Sequence, residues 1–197
     1  LINTINALNN KIISKQDLAN IAIKIEQKII KENVGSQDQV AVSFGGFNHI
    51  RFSKDSSINV NPLILPNSRL KKLNENLMLF FTGISRFSND IAKSKIENFK
   101  NKERELFKMK DMVLESMRIL NSNEKMDLFG KLLHESWLYK RSLSKKVSTP
   151  FIDEIYEKSL ENGALGGKIL GAGGGGFLFL IMPKYIKKKI KNLFKNY

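Results

Sequence analysis

The stretch that decides the fold runs from Gly163 to Pro183, GALGGKILGAGGGGFLFLIMP. Two apolar runs, Gly166 to Leu170 and Gly176 to Met182, flank the turn Gly171-Ala172-Gly173-Gly174-Gly175-Gly176. Flexible linkers are not clamped between strongly apolar segments. The runs therefore predict β-strands, and the turn predicts backbone in close approach to another backbone or to a ligand. The turn formally contains G-x-G-x-x-G, but a dinucleotide site needs a helix directly afterwards, and Phe177-Leu178-Phe179-Leu180-Ile181 reads as a strand. A Walker A loop is excluded too, because Ile169 follows Gly167-Lys168 where a Ser or Thr is required.

Working outward, Thr149 as N-cap, Pro150 at the first helical position and Gly163 beyond the end predict a helix over about 150–161, and residues 184–196 a terminal helix. Two long helical patterns occupy about 86–120 and 123–143, the second with Met126, Phe129, Leu133 and Trp137 as a core stripe. Leu77 to Phe81 reads as a buried strand, and the polar stretch 66–75 before it as a boundary. Nearer the start, Ser14 with Asp17 predicts a capped helix reaching about Glu32. The alternation of Val40, Val42 and Phe44, then Gly45-Gly46 and Phe47 to Phe52, predicts a hairpin or bulged strand; Asn59 to Leu65 adds another. The order is mixed α+β, without βαβ alternation or internal repeats.

Composition narrows the function classes. At 197 residues and 42% hydrophobic, the chain can bury a sizeable core. It has no cysteine, which excludes disulfides and thiolate catalysis. The longest apolar run, Phe177 to Pro183, is too short for a transmembrane helix, and Leu1 to Ile13 lacks the pattern of a signal peptide, so the expected location is cytoplasmic. The net charge of +14 invites a polyanionic partner, but lysine is spread through every segment without zinc-finger or RNA-binding spacing. No nucleic-acid or membrane partner is expected. A chain beginning at Leu1 and stopping at Tyr197 inside a helical pattern reads as clipped at both ends.

Two carboxylates stand out. On a helical wheel at about 100° per residue, Lys24, Gln27, Lys28 and Lys31 share one sector, while Glu26 falls among Ala19, Ala22 and Ile30. A carboxylate on an apolar face is either a ligand or one half of a salt bridge. Asp38 follows twelve residues later in Gly35-Ser36-Gln37-Asp38-Gln39, expected to be a loop, where it is a turn residue or a functional one. His49 and His134 cannot make a histidine-rich metal site, and Leu138 stands where a zincin helix beginning His134-Glu135 needs its second histidine.

Four segments in order, 33–47 (NVGSQDQVAVSFGGF), 77–86 (LMLFFTGISR), 129–144 (FGKLLHESWLYKRSLS) and 163–183, resemble successive stretches of the GHMP small-molecule kinases, most of all the D-glycero-D-manno-heptose 7-phosphate kinases. The resemblance implies an α+β two-domain architecture with the active site in the cleft, residues 1–70 completing an N-terminal domain and 71–197 forming a ferredoxin-like C-terminal domain. It also implies that the family's N-terminal phosphate-holding loop and final strand lie outside this chain. By the same resemblance Asp38 matches the catalytic aspartate, Glu26 the magnesium-binding glutamate, and Gly171, Gly173, Gly174, Gly175 and Gly176 the third family motif beside the nucleotide. The implied reaction is transfer of the γ-phosphoryl group of ATP, with Mg2+, to an anomeric hydroxyl of a sugar phosphate. Lys140 and Arg141 are candidates for the sugar's existing phosphate, Arg141 continuing the core stripe inward; otherwise they are a solvated helix end complementing the dipole. A galactokinase-like or fucokinase-like activity is the nearest alternative, and a basic nucleic-acid-binding module the more distant one.

Overall fold

The computed structural model describes residues 1–85 and 88–196. The expected helix start near residue 86, Arg86 at the end of the segment 77–86, and the last residue, 197, lie outside the described residues. Two compact units divide the chain, Leu1–Ile64 and Leu65–Tyr197.

In the first unit α1 (Ile2–Leu8) precedes α2 (Lys15–Lys24), which opens as expected: the Ser14 side chain accepts from the Asp17 amide at 3.0 Å. The helix does not run evenly to Glu32. From Ile25 to Ile29 it widens into a π-turn, closed by Glu32 N donating to Glu26 O at 3.0 Å and by Lys31 at φ 62°. The alternating residues 40–44 correct the expected strand, because Gln37–Phe44 is a helix, α3. Val40 is fully buried with Ala19 of α2, while Val42 is 85% exposed, so α3 presents a helical and not a pleated face. Gly45 ends it at φ 65°. A hairpin does follow, built from β1 (Asn48–Phe52) and β2 (Ile58–Pro62), antiparallel with Ile50 opposite Val60.

The second unit begins with another difference from expectation. The polar stretch at 66–75 is helix α4 (Asn67–Asn76), with Arg69 and Leu73 buried. Arg69 reaches α6 (Glu103–Asn121) and donates to the carbonyls of Ile119 (2.7 Å), Leu120 (3.3 Å) and Glu124 (2.9 Å). A guanidinium thereby ties together the Ile119 and Leu120 carbonyls in the last turn of α6 and the Glu124 carbonyl just beyond it. Three strands, β3 (Leu77–Phe81), β4 (Gly166–Ile169) and β5 (Phe177–Ile181), form an antiparallel sheet in the order β3-β5-β4. Leu77 pairs with Ile181, and Ile169 with Leu178.

Helices α5 (Ser88–Asn98), α7 (Met126–Ser142), α8 (Pro150–Glu161) and α9 (Lys187–Leu193) complete the unit. The α8 ends fall where the sequence predicts, the Thr149 side chain accepting from Ile152 N at 3.3 Å. Trp137, Ile152, Ile155, Tyr156, Ile169, Leu178 and Leu180 form the core. Each such apolar side chain stabilises the fold by roughly 1.5–3 kcal/mol relative to exposure. No helix among the described residues is long and apolar enough to cross a membrane.

Candidate functional site

The first group of candidates lies in unit one. The π-turn places Glu26, half-buried, where the side-chain amide of Gln39 donates to Glu26 Oε2. A carboxylate accepts only, so it fixes the amide orientation and turns Gln39 Oε1 the other way. That oxygen is buried and has no partner among the described residues. A second tie runs beside the first, with Gln27 Nε2 donating to Ser36 Oγ (3.1 Å) and Val34 O (3.0 Å). Two glutamines thus stitch the π-turn to the start of α3. Asp38, expected on a loop, instead stands exposed in the first turn of α3 next to Gln39. A carboxylate there suits the positive end of the helix dipole.

The half-buried Glu26 carboxylate is a donor of the kind magnesium accepts. That ion keeps several waters and takes one or two carboxylates together with substrate phosphates. The described residues hold no cluster of three or more histidine, aspartate or glutamate side chains. Glu26 therefore fits a site completed by substrate oxygens.

The second group lies in unit two, where the glycine-rich turn is packed against backbone on several sides. Gly174 N donates to Val147 O (2.8 Å) and Gly176 N to Ile84 O (2.9 Å). Thr82 donates to Gly176 O through both its amide and its hydroxyl, each at 2.9 Å. Gly173, at φ 112°, would bring a Cβ to 2.7 Å from Val147 O, and one on Gly175 would lie 2.6 Å from Ile84 O. The close approach predicted from glycine density is thus to neighbouring main chain at these two positions. Beside the turn is an open cavity of about 210 Å³ lined by Phe81, Ile84, Leu170, Ala172, Gly173 and Gly175 among others.

Lys140 and Arg141 do not point the same way. The residue that continues the buried stripe after Trp137 is Lys140, 7% exposed, and not Arg141 as expected. Lys140 Nζ donates to Ile169 O at 2.6 Å and Gly171 O at 2.8 Å. Burial lowers its pKa from 10.5 to about 7, with added repulsion from Lys168 and Lys95. Burial also depresses Lys168 and Lys95 themselves. Arg141 is half-exposed and pairs with Asp153 at 3.0 Å, whose carboxylate also accepts from Ser148 Oγ at 2.7 Å. Gln27, Gln39, Thr82 and Val147 were not singled out from sequence. Gln39 alone carried a signal, as the neighbour of Asp38 at helical spacing from Ser43.

The chain is similar to known proteins in both sequence and fold. Residues 117–196 match the family described as GHMP kinases C terminal. The chain is 31% identical over 172 residues to the D-glycero-alpha-D-manno-heptose 7-phosphate kinase of Campylobacter jejuni, a match spanning 86% of this chain and 50% of that protein. It is 25% identical over 184 residues to the bifunctional fucokinase/GDP-fucose pyrophosphorylase of Arabidopsis thaliana, over 89% of this chain and 17% of that protein. Among solved structures, a D-glycero-D-manno-heptose 1-phosphate kinase from Bacteriodes thetaiotaomicron superposes with a TM-score of 0.73 at 21% identity, over 98% of this chain and 53% of the other. The chain thus spans about half the length of the heptose kinase relative. Its C-terminal part, residues 117–196, is similar to the C-terminal domain of GHMP kinases, and its α+β fold is that of the heptose 1-phosphate kinase structure.

Proposed function

We propose that this chain is part of an ATP-dependent sugar kinase that phosphorylates the anomeric hydroxyl of D-glycero-D-manno-heptose 7-phosphate. The observation that carries the proposal is the pairing of Glu26 with Gln39, directly beside Asp38, in a chain 31% identical to a heptose 7-phosphate kinase. The sugar oxygen attacks the γ-phosphorus of ATP and a new O–P bond forms. The bond from that phosphorus to the β,γ-bridging oxygen breaks, and ADP leaves. Asp38 accepts or orients the departing hydroxyl proton. Glu26, held by Gln39, would bind magnesium, which when bound supplies charge screening on the phosphates. The glycine turn Gly171 to Gly176 shapes the nucleotide end. Arg141, oriented by Asp153, is the candidate grip for the sugar's far phosphate, since a guanidinium pairs with phosphate through two hydrogen bonds. Lys140, which the sequence reading also assigned to that phosphate, spends its donors on main-chain carbonyls instead.

The test is a direct assay of the complete protein with ATP, magnesium and heptose 7-phosphate, following ADP and the doubly phosphorylated sugar. The expected preference is for heptose 7-phosphate over the unphosphorylated heptose. Equal kcat/KM for the two would move the assignment to a galactokinase-like or fucokinase-like kinase, the second reading that the similarity to the Arabidopsis thaliana fucokinase supports.

A further inference from the structure

We infer that Lys140 is a positioning residue for the nucleotide end of the reaction: it holds the end of β4 and the first glycine of the turn at a fixed separation, so that the turn is shaped before any ligand arrives. The inference rests on the reading of the turn as the nucleotide end.

The turn is tied at three places. Gly174 is held by Val147, and Gly176 by Ile84 and Thr82. Among the described residues the tie at Gly171 comes from Lys140, and the same nitrogen donates to Ile169 O, the last residue of β4. Among the described residues strand β4 pairs with β5 alone, at the edge of the three-stranded sheet, so Lys140 grips a carbonyl of the edge strand together with the start of the turn. A Cβ added to Gly171, at φ 62°, would meet no heavy atom within 4 Å. This end of the turn is held by two hydrogen bonds, from Lys140 to Gly171 O at 2.8 Å and, one residue earlier, from Leu170 N to Phe177 O at 2.9 Å.

Retaining a cation here is costly. The charged groups acting on Lys140 are Lys168 of β4 and Lys95 of α5, both repulsive. An apolar side chain would be cheaper to bury. What the lysine offers and an apolar residue does not is a nitrogen with at least two N–H donors in either protonation state, enough for both carbonyls. Cost without compensating charge, spent on restraining a functional turn, is the pattern of a residue kept for position.

The experiment compares K140M and K140Q with the wild type in the complete protein. Methionine removes the donors, and glutamine keeps N–H groups but is too short to reach both carbonyls. Amide hydrogen exchange over residues 171–176 should speed up by about tenfold in both variants while β3 keeps its protection. The KM for ATP should rise by about tenfold with kcat reduced far less, the signature of lost binding and not of lost chemistry. Unchanged exchange at the turn and unchanged KM for ATP in either folded variant overturns the inference, and K140Q decides alone where K140M does not fold. Should the wild type phosphorylate no sugar, the kinase reading falls separately, and the exchange measurement still decides whether Lys140 holds the turn.

Discussion

The side-chain amide of Gln39 donates to the carboxylate of Glu26, and this bond joins the π-turn after α2 to the first turns of α3. Its consequence is geometric. Glu26 cannot rotate toward solvent without leaving Gln39 unpaired on both amide atoms, since Gln39 Oε1 already lacks a partner among the described residues. Asp38 precedes Gln39 in the chain, so the same bond also limits how far Asp38 moves relative to Glu26.

Replacing Asp38 by asparagine keeps the shape and removes the proton acceptor. Turnover of the complete enzyme should fall by about a hundredfold or more, with ATP affinity little changed. Steady-state kinetics with the purified variant decides it, and near-normal turnover removes Asp38 from the mechanism.

Glu26→Gln and Gln39→Leu should act in the same direction, the first by removing a ligand and the second by releasing it. Both are expected to raise the magnesium concentration that gives half-maximal rate, Glu26→Gln by more. A magnesium titration of the two variants separates this role from a purely structural one, which would lower the melting temperature and leave the titration midpoint in place.

Lys140 predicts a pH dependence of stability. Its pKa in the folded protein is lowered to about 7 from 10.5. Between those two pH values the unfolded chain binds more protons than the folded one, so stability rises with pH across the window. The cost of the buried charge is fully present below about pH 7 and disappears as pH rises toward the unfolded value. Wild type should therefore gain melting temperature between about pH 6.5 and pH 9 relative to K140M, which lacks the titrating group. Parallel melting profiles for the two proteins would contradict the assignment.

At the turn, Gly175→Ala should destabilise far more than Gly171→Ala. The added methyl at Gly175 meets the Ile84 carbonyl at 2.6 Å, whereas Gly171 has open space and bears only the strain of φ 62°. The second cost is on the order of 1 kcal/mol. Urea denaturation of both variants measures the difference, and equal midpoints would mean that the 82–85 segment yields.

Arg69 supplies a prediction far from the chemistry. Arg69→Met keeps the buried stem but removes the donors from Ile119, Leu120 and Glu124. The loss should be about 3 kcal/mol, the scale of losing charge-assisted bonds to buried carbonyls. The check is the shift of the unfolding midpoint.

Much of unit two was legible from residues alone because its signals are local. A cap at Thr149, a proline at 150 and apolar runs on either side of a glycine turn each act within a few residues, and the strands and helix lie where those signals put them. Elsewhere local pattern supported two structures. Val40, Val42 and Phe44 alternate like a strand, but eight residues are too few for period alone to decide, and burial of Val40 beside α2 made the segment a helix. The polar stretch 66–75 likewise became a helix through a long-range contact, Arg69 reaching the end of α6.

The site divides in the same way. That Glu26 sits on an apolar face and that Asp38 follows a glycine are properties of the sequence, and so is the family resemblance. The partner of Glu26, however, lies thirteen residues on, across a π-turn that shifts the helical register, and no wheel with a uniform step reveals it. Lys140 and Arg141 lie three and four residues beyond Trp137, nearly equivalent on a helix. Which of them enters the core was decided by what stands opposite: two carbonyls at the end of β4 for Lys140, and the Asp153 carboxylate on α8 for Arg141. Acceptors supplied by other elements exist only once the chain has folded, and for that reason the tertiary structure alone could assign these two cations their roles.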